Sequence, residues 1–77
     1  MDRISRPYLT KYEKTRIIGE RSEQLARGAV PLVDTTGFKH VRDIALKELA
    51  ERKLPFKIER PLPNGTVEVW RLSELIY

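Results

Sequence analysis

The sequence predicts a small, mainly helical α+β fold with two principal helices, a β-hairpin and a short C-terminal helical turn. Three observations support this prediction: a capped amphipathic pattern over residues 10–28, a second apolar-periodic segment over residues 40–53, and two alternating segments that flank Asn64 and Gly65. Asn-Gly is a strong hairpin signal because both residues tolerate positive φ. We expect residues 1–8 to form a short tail and residues 9–77 to form one domain.

The first helix is predicted to begin after Thr10 and to end at Gly28. Thr10 and Glu13 make a capping box, in which each side chain accepts a hydrogen bond from the backbone of the other residue. Gly28 suits the left-handed position that follows a helix. Gly19 costs about 1 kcal/mol relative to alanine in mid-helix, and it indicates a close approach by another backbone. An apolar stripe has helical spacing: Ile17, Ile18, Ser22, Leu25, Ala26 and Ala29.

The middle of the chain is predicted to contain a buried link and a second helix. Residues 29–34 form a short apolar segment that we expect to be extended and buried. The second helix should run from about His40 to Lys53. Pro55 should end it, because the residue before a proline disfavours helical geometry.

The last part of the chain is predicted to form the hairpin and a final helical turn. One strand lies around Phe56 and Ile58, and in the other Val67 and Val69 alternate with polar Glu68 and with Trp70. The turn should be capped by Ser73. Structural roles are expected for Pro55, Asn64, Gly65 and Trp70.

The composition limits the classes of protein to which the chain can belong. A 77-residue chain buries only about 60% of its unfolded surface, so a partner is the expected stabiliser. It contains no cysteine, which excludes disulfides and thiolate zinc sites. The single His40 cannot form a metal site alone, and we expect no metal and no cofactor. The net charge of +4 is spread along the chain, whereas nucleic-acid readers concentrate it on one face.

Neither a membrane span nor a signal peptide is predicted. No apolar run approaches the roughly 18 residues that cross a membrane. Residues 1–7 lack the apolar centre of a signal peptide. We therefore expect a soluble intracellular protein.

Two groups of side chains each allow two interpretations from the pattern alone. Arg16, Arg21 and Gln24 either grip a partner, as the arginine fork is suited to do, or form a solvated helix face with nearby glutamates. Tyr8, Tyr12 and Trp70 either finish a small core or form part of an interface. A catalytic site has no support, because His40 has no serine or carboxylate at a suggestive spacing.

A winged-helix DNA-binding regulator is the alternative that the order of the elements leaves open. Such a protein places its second helix in the major groove and uses the hairpin as a wing. In this chain the second helix carries nearly balanced charges, which suits phosphate contacts poorly. A third helix is also missing from the predicted pattern.

A series of spaced motifs covers about residues 8–75: Leu-Thr-Lys-Tyr-Glu-Lys at 9–14, Arg-Ile-Ile-Gly at 16–19, Arg21, Gln-Leu-Ala at 24–26, Gly-Ala at 28–29, Leu-Val-Asp at 32–34, Ile-Ala at 44–45, Glu-Leu at 48–49, Lys-Leu-Pro at 53–55, Arg60 and Leu-Pro-Asn-Gly at 62–65. In this order the motifs resemble a known family, the small RNA polymerase subunits. These comprise subunit K of archaea, the common small subunit of eukaryotic nuclear polymerases, and bacterial omega.

The resemblance implies a non-catalytic subunit that clasps the largest polymerase subunit, including its C-terminal region, and promotes assembly and stability of the core enzyme. It implies contact with other core subunits, contact with DNA only through the complex, and no homo-oligomer. It also implies that Arg21 grips the partner, so that its removal affects binding more than stability. The implied partner-binding residues are Thr10, Tyr12, Glu13, Arg16, Gly19, Arg21, Gln24, Gly28 and Ala29.

The chain also departs from the family pattern. Thr15 and Ser22 stand where alanine is common, and Glu23 stands where an apolar residue is frequent, so the first helix is more polar than usual. The eukaryotic relatives carry a long acidic N-terminal tail, which this sequence lacks. The shorter form is more similar to the archaeal subunit and implies a cytoplasmic location, or a nuclear one if the protein is a eukaryotic relative.

Overall fold

The two helices and the hairpin follow one another along an elongated domain. The structure, a computed structural model, describes residues 5–77, and its extents are 45 × 20 × 19 Å. The α+β class predicted from the sequence is confirmed. The elements, in chain order, are α1 (Lys11–Ala26), α2 (Val41–Ala50), β1 (Lys57–Pro61), β2 (Val67–Arg71) and a 3-10 turn (Leu72–Glu74).

Both predicted ends of α1 are confirmed. The Glu13 N–H donates to Thr10 Oγ1 at 3.1 Å, and the Thr10 N–H donates to Glu13 Oε1 at 3.0 Å. At the other end Gly28 has a φ of 101°. Its N–H donates to the Leu25 carbonyl, and the Ala29 N–H donates to the Gln24 carbonyl. This pair of bonds is a Schellman motif, which satisfies carbonyls at the helix end.

The second helix ends earlier than predicted, and Pro55 is not what ends it. Its last residue is Ala50, and Arg52 then adopts a left-handed φ of 57°. The N–H groups of Arg52 and Lys53 close a second Schellman motif by donating to the carbonyls of Leu49 and Glu48, both at 3.0 Å. Neither propensity nor the proline rule predicts this reversal, because an arginine in this conformation is uncommon.

The core lies where α1, α2 and the inner side of the hairpin meet. Its buried apolar members are Ile17, Ile18, Leu25, Ala45, Leu49, Leu54, Ile58, Trp70, Leu72 and Leu75. Ala26 was predicted to widen the apolar stripe of α1, but it is exposed. No helix among residues 5–77 is long and apolar enough to cross a membrane.

Residues 29–34 form neither helix nor strand and bend at Leu32 and Val33, whereas the sequence predicted an extended, buried segment. Val30 is 79% exposed and Leu32 is 46% exposed, while Ala29 and Val33 are half-buried. We call residues 29–34 the linking segment, since they join α1 to the loop before α2. Their apolar side chains therefore lie on the surface of this domain.

The hairpin forms as predicted, but the second strand turns its valines outward. Ile58 pairs with Trp70, and both are buried, whereas Val67 is 55% exposed and Val69 is 45% exposed. Strand side chains alternate between the two faces, so burying Trp70 places both valines on the outer face. The larger apolar surface of the tryptophan determines which face is buried.

The hairpin turn uses one left-handed residue rather than two. Gly65 has a φ of 86°, whereas Asn64 is not among the residues with positive φ. The Gly65 N–H donates to the Leu62 carbonyl at 3.0 Å. Asn64 instead contributes its side chain, whose Oδ1 accepts from the Thr66 N–H at 3.1 Å. Gly65 therefore supplies the left-handed backbone of the turn, and Asn64 supplies a side-chain hydrogen bond that closes it.

The two ends of the described chain pair with each other. The Leu9 N–H donates to the Ile76 carbonyl at 3.0 Å, and the Ile76 N–H donates to the Pro7 carbonyl at 2.7 Å. Residues 5–8 are therefore joined to the domain rather than forming the predicted tail, and residues 1–4 lie outside the described part. The final helical turn begins at Leu72, one residue before the predicted cap, Ser73.

The aromatic residues divide between core and surface. Trp70 is 7% exposed and belongs to the core, while Tyr8 is 56% and Tyr12 is 71% exposed. Gly19 lies on the exposed side of α1, and no described atom comes within 4 Å of the position of a Cβ built on it. The backbone approach that the sequence indicated at Gly19 is therefore not made by residues 5–77.

Substitutions at two glycines of α1 should change stability in opposite directions. Gly28→Val should lower the free energy of unfolding by about 1–2 kcal/mol, because a residue with a Cβ resists the left-handed conformation. Gly19→Ala should raise it by about 1 kcal/mol, because Gly19 is helical and has open space around it. Urea unfolding of the two variants measures both effects. An unchanged midpoint for Gly28→Val would show that the backbone at residue 28 is not left-handed.

Candidate interaction surface

A buried ion pair joins α1 to α2. Arg21 Nε donates to Glu48 Oε1 at 2.7 Å, and its Nη2 donates to Glu48 Oε2 at 2.9 Å. Arg21 is 7% exposed and Glu48 is 0% exposed. Two parallel bonds between a guanidinium and a carboxylate fix both the distance and the relative orientation of the groups. The pair therefore fixes the relative position of the two helices.

The same ion pair also fixes the linking segment. Arg21 Nη2 donates to the Val30 carbonyl at 3.1 Å, and the Leu32 N–H donates to Glu48 Oε2 at 2.8 Å. Arg21 Nη1 further donates to Gln24 Oε1 at 3.2 Å. The backbone of residues 30–32 is thus bonded on its inner side while its apolar side chains face solvent.

Both members of the pair are charged at neutral pH. The pKa of Glu48 is lowered, chiefly by the hydrogen bonds from the Arg21 guanidinium and also by the Leu32 N–H, against the opposing effect of burial. The pKa of Arg21 is raised by the same hydrogen bonds. A buried carboxylate needs partners of this kind, because a charge without them is costly to remove from water.

A second polar cluster fastens the start of the chain to the hairpin. Arg60 donates to both carboxylate oxygens of Glu13, at 2.9 and 2.8 Å. It also donates to the backbone carbonyls of Arg6, at 2.6 Å, and of Tyr8, at 2.8 Å. The hydrogen bonds from Arg60 are the largest cause that lowers the pKa of Glu13 to about 2. We call this cluster the N-terminal clamp.

Trp70 extends the N-terminal clamp into the core. Its Nε1–H donates to Ser5 Oγ at 2.9 Å and to Glu68 Oε1 at 2.8 Å. The Arg60 guanidinium carbon lies 5.6 Å from the centroid of the Trp70 ring, within the range of a cation–π contact. The structural role predicted for Trp70 therefore includes holding Ser5 as well as filling the core.

An open groove lies between the exposed side of α1 and the hairpin, with a volume of about 780 Å³. On the helix side it is lined by residues between Tyr12 and Glu20, and on the hairpin side by residues 56–61 and Val67. The Arg16 guanidinium carbon lies 5.9 Å from the Tyr12 ring centroid. We call this feature the edge groove. Its volume falls within the usual range for binding clefts.

The residues that the sequence assigned to partner binding divide into two groups. The first group is exposed and available for contact with a partner: Tyr12, Arg16, Gly19 and Gln24. The second group acts within the domain. Thr10 caps the start of α1 and Gly28 follows its last turn, while Glu13 binds Arg60 and Arg21 binds Glu48. Ala29 is half-buried at the start of the linking segment.

Arg21 is the clearest correction among these residues. Its guanidinium is bonded to Glu48, Gln24 and the Val30 carbonyl, and the residue is buried. It therefore cannot grip a partner in this conformation, and its removal should affect stability first. Its position predicts this in retrospect, because Arg21 falls three residues after Ile18 and four before Leu25, on the apolar side of the helix.

Most of the chain matches a known family. The family described as RNA polymerase Rpb6 matches residues 3–56, which is more than half of the sequence. The chain belongs to the Rpb6 family. Within residues 5–77 of this Rpb6-family chain, no group of three or more histidine, aspartate or glutamate side chains could hold a metal ion.

Its relatives are subunits of eukaryotic RNA polymerases. The chain is 47% identical over 75 residues to a Schizosaccharomyces pombe protein named DNA-directed RNA polymerases I, II, and III subunit RPABC2, covering 97% of this chain and 53% of that protein. The Saccharomyces cerevisiae protein of the same name is 47% identical over 74 residues, covering 96% and 48%. An Arabidopsis thaliana protein named DNA-directed RNA polymerases II and V subunit 6B is 44% identical over 69 residues, covering 90% and 48%. The chain therefore spans about half the length of these relatives.

Glu48 is the residue of the buried ion pair that the sequence interpretation did not assign to a site. The apolar side of α2 was recognised, and Glu48 lies on it directly before Leu49. A carboxylate on an apolar helix face needs a buried partner, and Arg21 occupies the equivalent place on α1. Arg21 and Glu48 are opposite charges on the apolar faces of the two helices, so the sequence alone could have predicted that they pair.

Removing Arg21 should destabilise the domain. Arg21→Ala leaves Glu48 buried without its partner and should lower the free energy of unfolding by about 3–5 kcal/mol. The double variant Arg21→Met, Glu48→Leu should lose much less, since apolar replacement of a buried pair is often nearly neutral. Urea unfolding measures both. If Arg21→Ala unfolds at the wild-type midpoint, the pair contributes nothing to the fold.

The N-terminal clamp should make stability depend on pH in the acid range. Glu13 has a folded pKa of about 2 against 4.5 when free, so its contribution is complete above pH 4.5 and is lost as the pH falls towards 2. That difference corresponds to roughly 3 kcal/mol. Glu13→Gln keeps a capping oxygen but removes the charge, and it should flatten the stability curve over this range.

Arg60→Gln is the matched variant for this test, because it removes the other member of the same ion pair. It should flatten most of the acid limb, less completely than Glu13→Gln because the Thr10 N–H still lowers the Glu13 pKa, and adding it to Glu13→Gln should change little. Thermal unfolding between pH 2 and pH 7 gives the curves. An acid limb of wild-type slope in Glu13→Gln would refute the assignment.

Proposed function

We propose that this chain is a non-catalytic subunit of a DNA-directed RNA polymerase that clasps the largest subunit and promotes assembly and stability of the core enzyme. Its membership of the Rpb6 family and its relatives' names support the polymerase role. The clasping role rests on one observation about the linking segment. Its backbone is bonded to the buried Arg21–Glu48 pair, while the side chains of Val30 and Leu32 are exposed to solvent.

A rigid exposed segment suits docking. Free apolar side chains on a flexible loop would lose conformational entropy on binding, but here the backbone of residues 30–32 is already fixed by two hydrogen bonds. Such preorganisation lowers the cost of association. Gln24 lies close to this segment and binds Arg21, so the end of α1 and the linking segment form one continuous surface.

The exposed side of α1 adds a second part to the proposed interface. Tyr12, Arg16 and Gly19 recur at spacings of four and three residues, which places them on one side of the helix. Because Gly19 has open space around it, the backbone of a partner can approach the helix there. The sequence indicated that another backbone comes close to Gly19, and we propose that this backbone belongs to the partner.

The assembly role follows from mass action. A subunit that binds the folded form of a larger chain, and not its unfolded form, shifts that chain towards the folded state. The same linkage acts in return on this small domain, which has exposed apolar residues such as Val30, Leu32 and Tyr12. Covering them should stabilise both partners together.

The comparisons favour a eukaryotic polymerase over an archaeal one. The relatives named above come from two yeasts and a plant, and they give no support to the archaeal subunit K assignment or to the cytoplasmic location inferred from it. We propose the nuclear location that the sequence analysis kept as the alternative. Contact with DNA is proposed to occur only through the assembled complex.

The free DNA-binding regulator remains a weaker candidate. The exposed side of α2 carries Arg42 and Asp43 next to each other, and Lys47 lies 3.9 Å from Glu51. Cations that are matched by carboxylates release few counterions on meeting phosphates. Titration of duplex DNA with the isolated chain separates the two functions, since a regulator should bind with a steep salt dependence.

Charged substitutions in the linking segment should prevent incorporation into the polymerase. Val30→Asp and Leu32→Asp each place a charge in the proposed interface and should reduce recovery of the largest polymerase subunit with the tagged chain at least about tenfold. Both side chains are exposed, so the melting temperature should change little. The matched control is Val69→Lys, which places a charge on the exposed outer face of the hairpin, opposite Glu59, where opposite charges are favourable. Undiminished recovery with both aspartate variants would refute the proposed surface.

A further inference from the structure

Two exposed apolar residues lie side by side where the ends of the described chain meet. Tyr8 and Ile76 make a parallel bridge, and neighbouring strands lie about 4.8 Å apart. Tyr8 is 56% exposed and Ile76 is 53% exposed. We call these two residues the terminal pair. Together they present an aromatic and an aliphatic side chain to solvent at one place on the surface.

The terminal pair is held in place from both sides. Arg60 donates to the Tyr8 carbonyl at 2.8 Å. On the other side, Arg52 donates to the Leu75 carbonyl at 3.0 Å, and its guanidinium carbon lies 4.2 Å from the centroid of the Tyr77 ring. A surface that is fixed in this way loses little conformational entropy when a partner binds to it.

Most of the net charge of the chain lies beside the terminal pair. Residues 5–16 carry four cations and one carboxylate, a net charge of +3 out of +4 for the whole chain, so on this scale the charge is concentrated rather than spread. The carboxylate, Glu13, is bound to Arg60, and Arg16 lies 3.8 Å from Glu20. Among the described residues, no carboxylate lies within 4 Å of the other three cations. These three cations are all exposed: Arg6, Lys11 and Lys14.

The two lysines lie at the same end of the domain as the terminal pair. Lys11 is the first residue of α1, two residues after Leu9, whose N–H donates to the Ile76 carbonyl. Lys14 is three residues further on, which makes it a neighbour of Lys11 on the helix surface. Neither lysine lines the edge groove, so this surface is on a different side of α1 from that groove.

The carboxylates on the C-terminal side do not cancel these cations. Glu74 Oε1 accepts from the Arg71 N–H at 2.9 Å, which directs the Glu74 side chain towards the end of β2. The terminal carboxylate of Tyr77 is balanced by Arg52, whose guanidinium lies over the ring of the same residue. The surface around the terminal pair therefore has a net positive charge.

We propose that the terminal pair and the three cations beside it bind an acidic segment of a partner protein, one that carries a single aromatic anchor residue. The anchor packs on Tyr8 and Ile76, since aromatic side chains in apolar contacts dominate the binding energy of many interfaces. Carboxylates on either side of the anchor pair with Arg6, Lys11 and Lys14. Each exposed ion pair contributes little, so the affinity depends on the anchor and several carboxylates together.

Three other occupants fit this surface less well. A second copy of the chain would bring the same cations against these, and like charges repel. A single-stranded nucleic acid stacks its bases on aromatic rings, but beside Tyr8 it would meet the aliphatic Ile76, which offers no ring to the next base. Attachment to a membrane surface scales with the apolar area that is inserted, and one tyrosine with one isoleucine supplies little.

Titration of the ¹⁵N-labelled full chain, followed by nuclear magnetic resonance, tests the proposal. The probe is the peptide acetyl-Glu-Asp-Glu-Phe-Asp-Glu-Glu-amide, and it should shift the amide resonances of Tyr8, Lys11 and Ile76. A control peptide with serine in place of phenylalanine should bind at least about threefold more weakly, because it lacks the anchor. A second control with lysine in place of every acidic residue should not bind.

A double charge reversal tests the role of the lysines. Lys11→Glu combined with Lys14→Glu should weaken binding of the probe at least about tenfold. Carboxylates near the start of a helix are favourable, so the fold should be retained, and the Trp70 Nε1–H resonance reports on this. The matched control, Lys39→Glu combined with Lys57→Glu, makes the same change of net charge at exposed lysines elsewhere. It should weaken binding less than about twofold.

Ile76→Thr tests the apolar contact separately. Threonine is also β-branched and suits extended backbone, and the side chain it replaces is exposed, so this variant should fold normally. It should weaken binding of the probe about threefold and leave binding of the serine peptide unchanged, since only the probe has an anchor to lose. If the double reversal at Lys11 and Lys14 unfolds the chain, this comparison decides the proposal.

Four results would overturn the proposal. The first is a titration in which the probe leaves the resonances of Tyr8, Lys11 and Ile76 unmoved. The second is equal weakening by the double reversal and its matched control, which would reduce the effect to net charge. The third is equal binding of the phenylalanine and serine peptides. The fourth is tighter binding of oligothymidylate, or of vesicles that contain phosphatidylserine, than of the probe.

Discussion

The buried ion pair between Arg21 and Glu48 is the interaction on which the rest of the structure depends. An apolar pair in the same place could also hold two helices together, but it would not bind the backbone of the linking segment. The carboxylate accepts from both Arg21 and the Leu32 N–H, and the guanidinium also donates to the Val30 carbonyl. One pair of charges therefore sets both the helix packing and the conformation of an exposed segment.

The sequence predicted the parts of the fold that depend on local chemistry. The start and end of α1 follow from Thr10 and Gly28, whose roles need only their immediate neighbours. The end of α2 at Arg52 and the inner position of Arg60 could not be predicted in this way. Arg60 shares a face with Ile58 because strand side chains alternate, but only the tertiary structure brings Glu13 near enough to neutralise it.

The candidate site shows the same division between local and tertiary information. The exposure of Tyr12 and Arg16 follows from their place on the polar side of α1. The exposure of Val30 does not, because an apolar run with a proline is normally taken as buried extended chain. What exposes it is the pairing of its carbonyl with Arg21, a contact that follows from no periodicity. The family resemblance identified the function class, but it assigned Arg21 to partner binding, whereas Arg21 is buried within the domain and bound to Glu48.

The bridge between Tyr8 and Ile76 has a consequence for synthesis on the ribosome. Arg21 and Glu48, which join the two helices, are both present once α2 has emerged from the ribosome. They are close enough in sequence to pair early in folding. The bridge must wait for Ile76, which is made 26 residues after Ala50, the last residue of α2. The chain can therefore present its helical half to a partner during translation before the bridge forms, so timing separates recognition from completion of the fold.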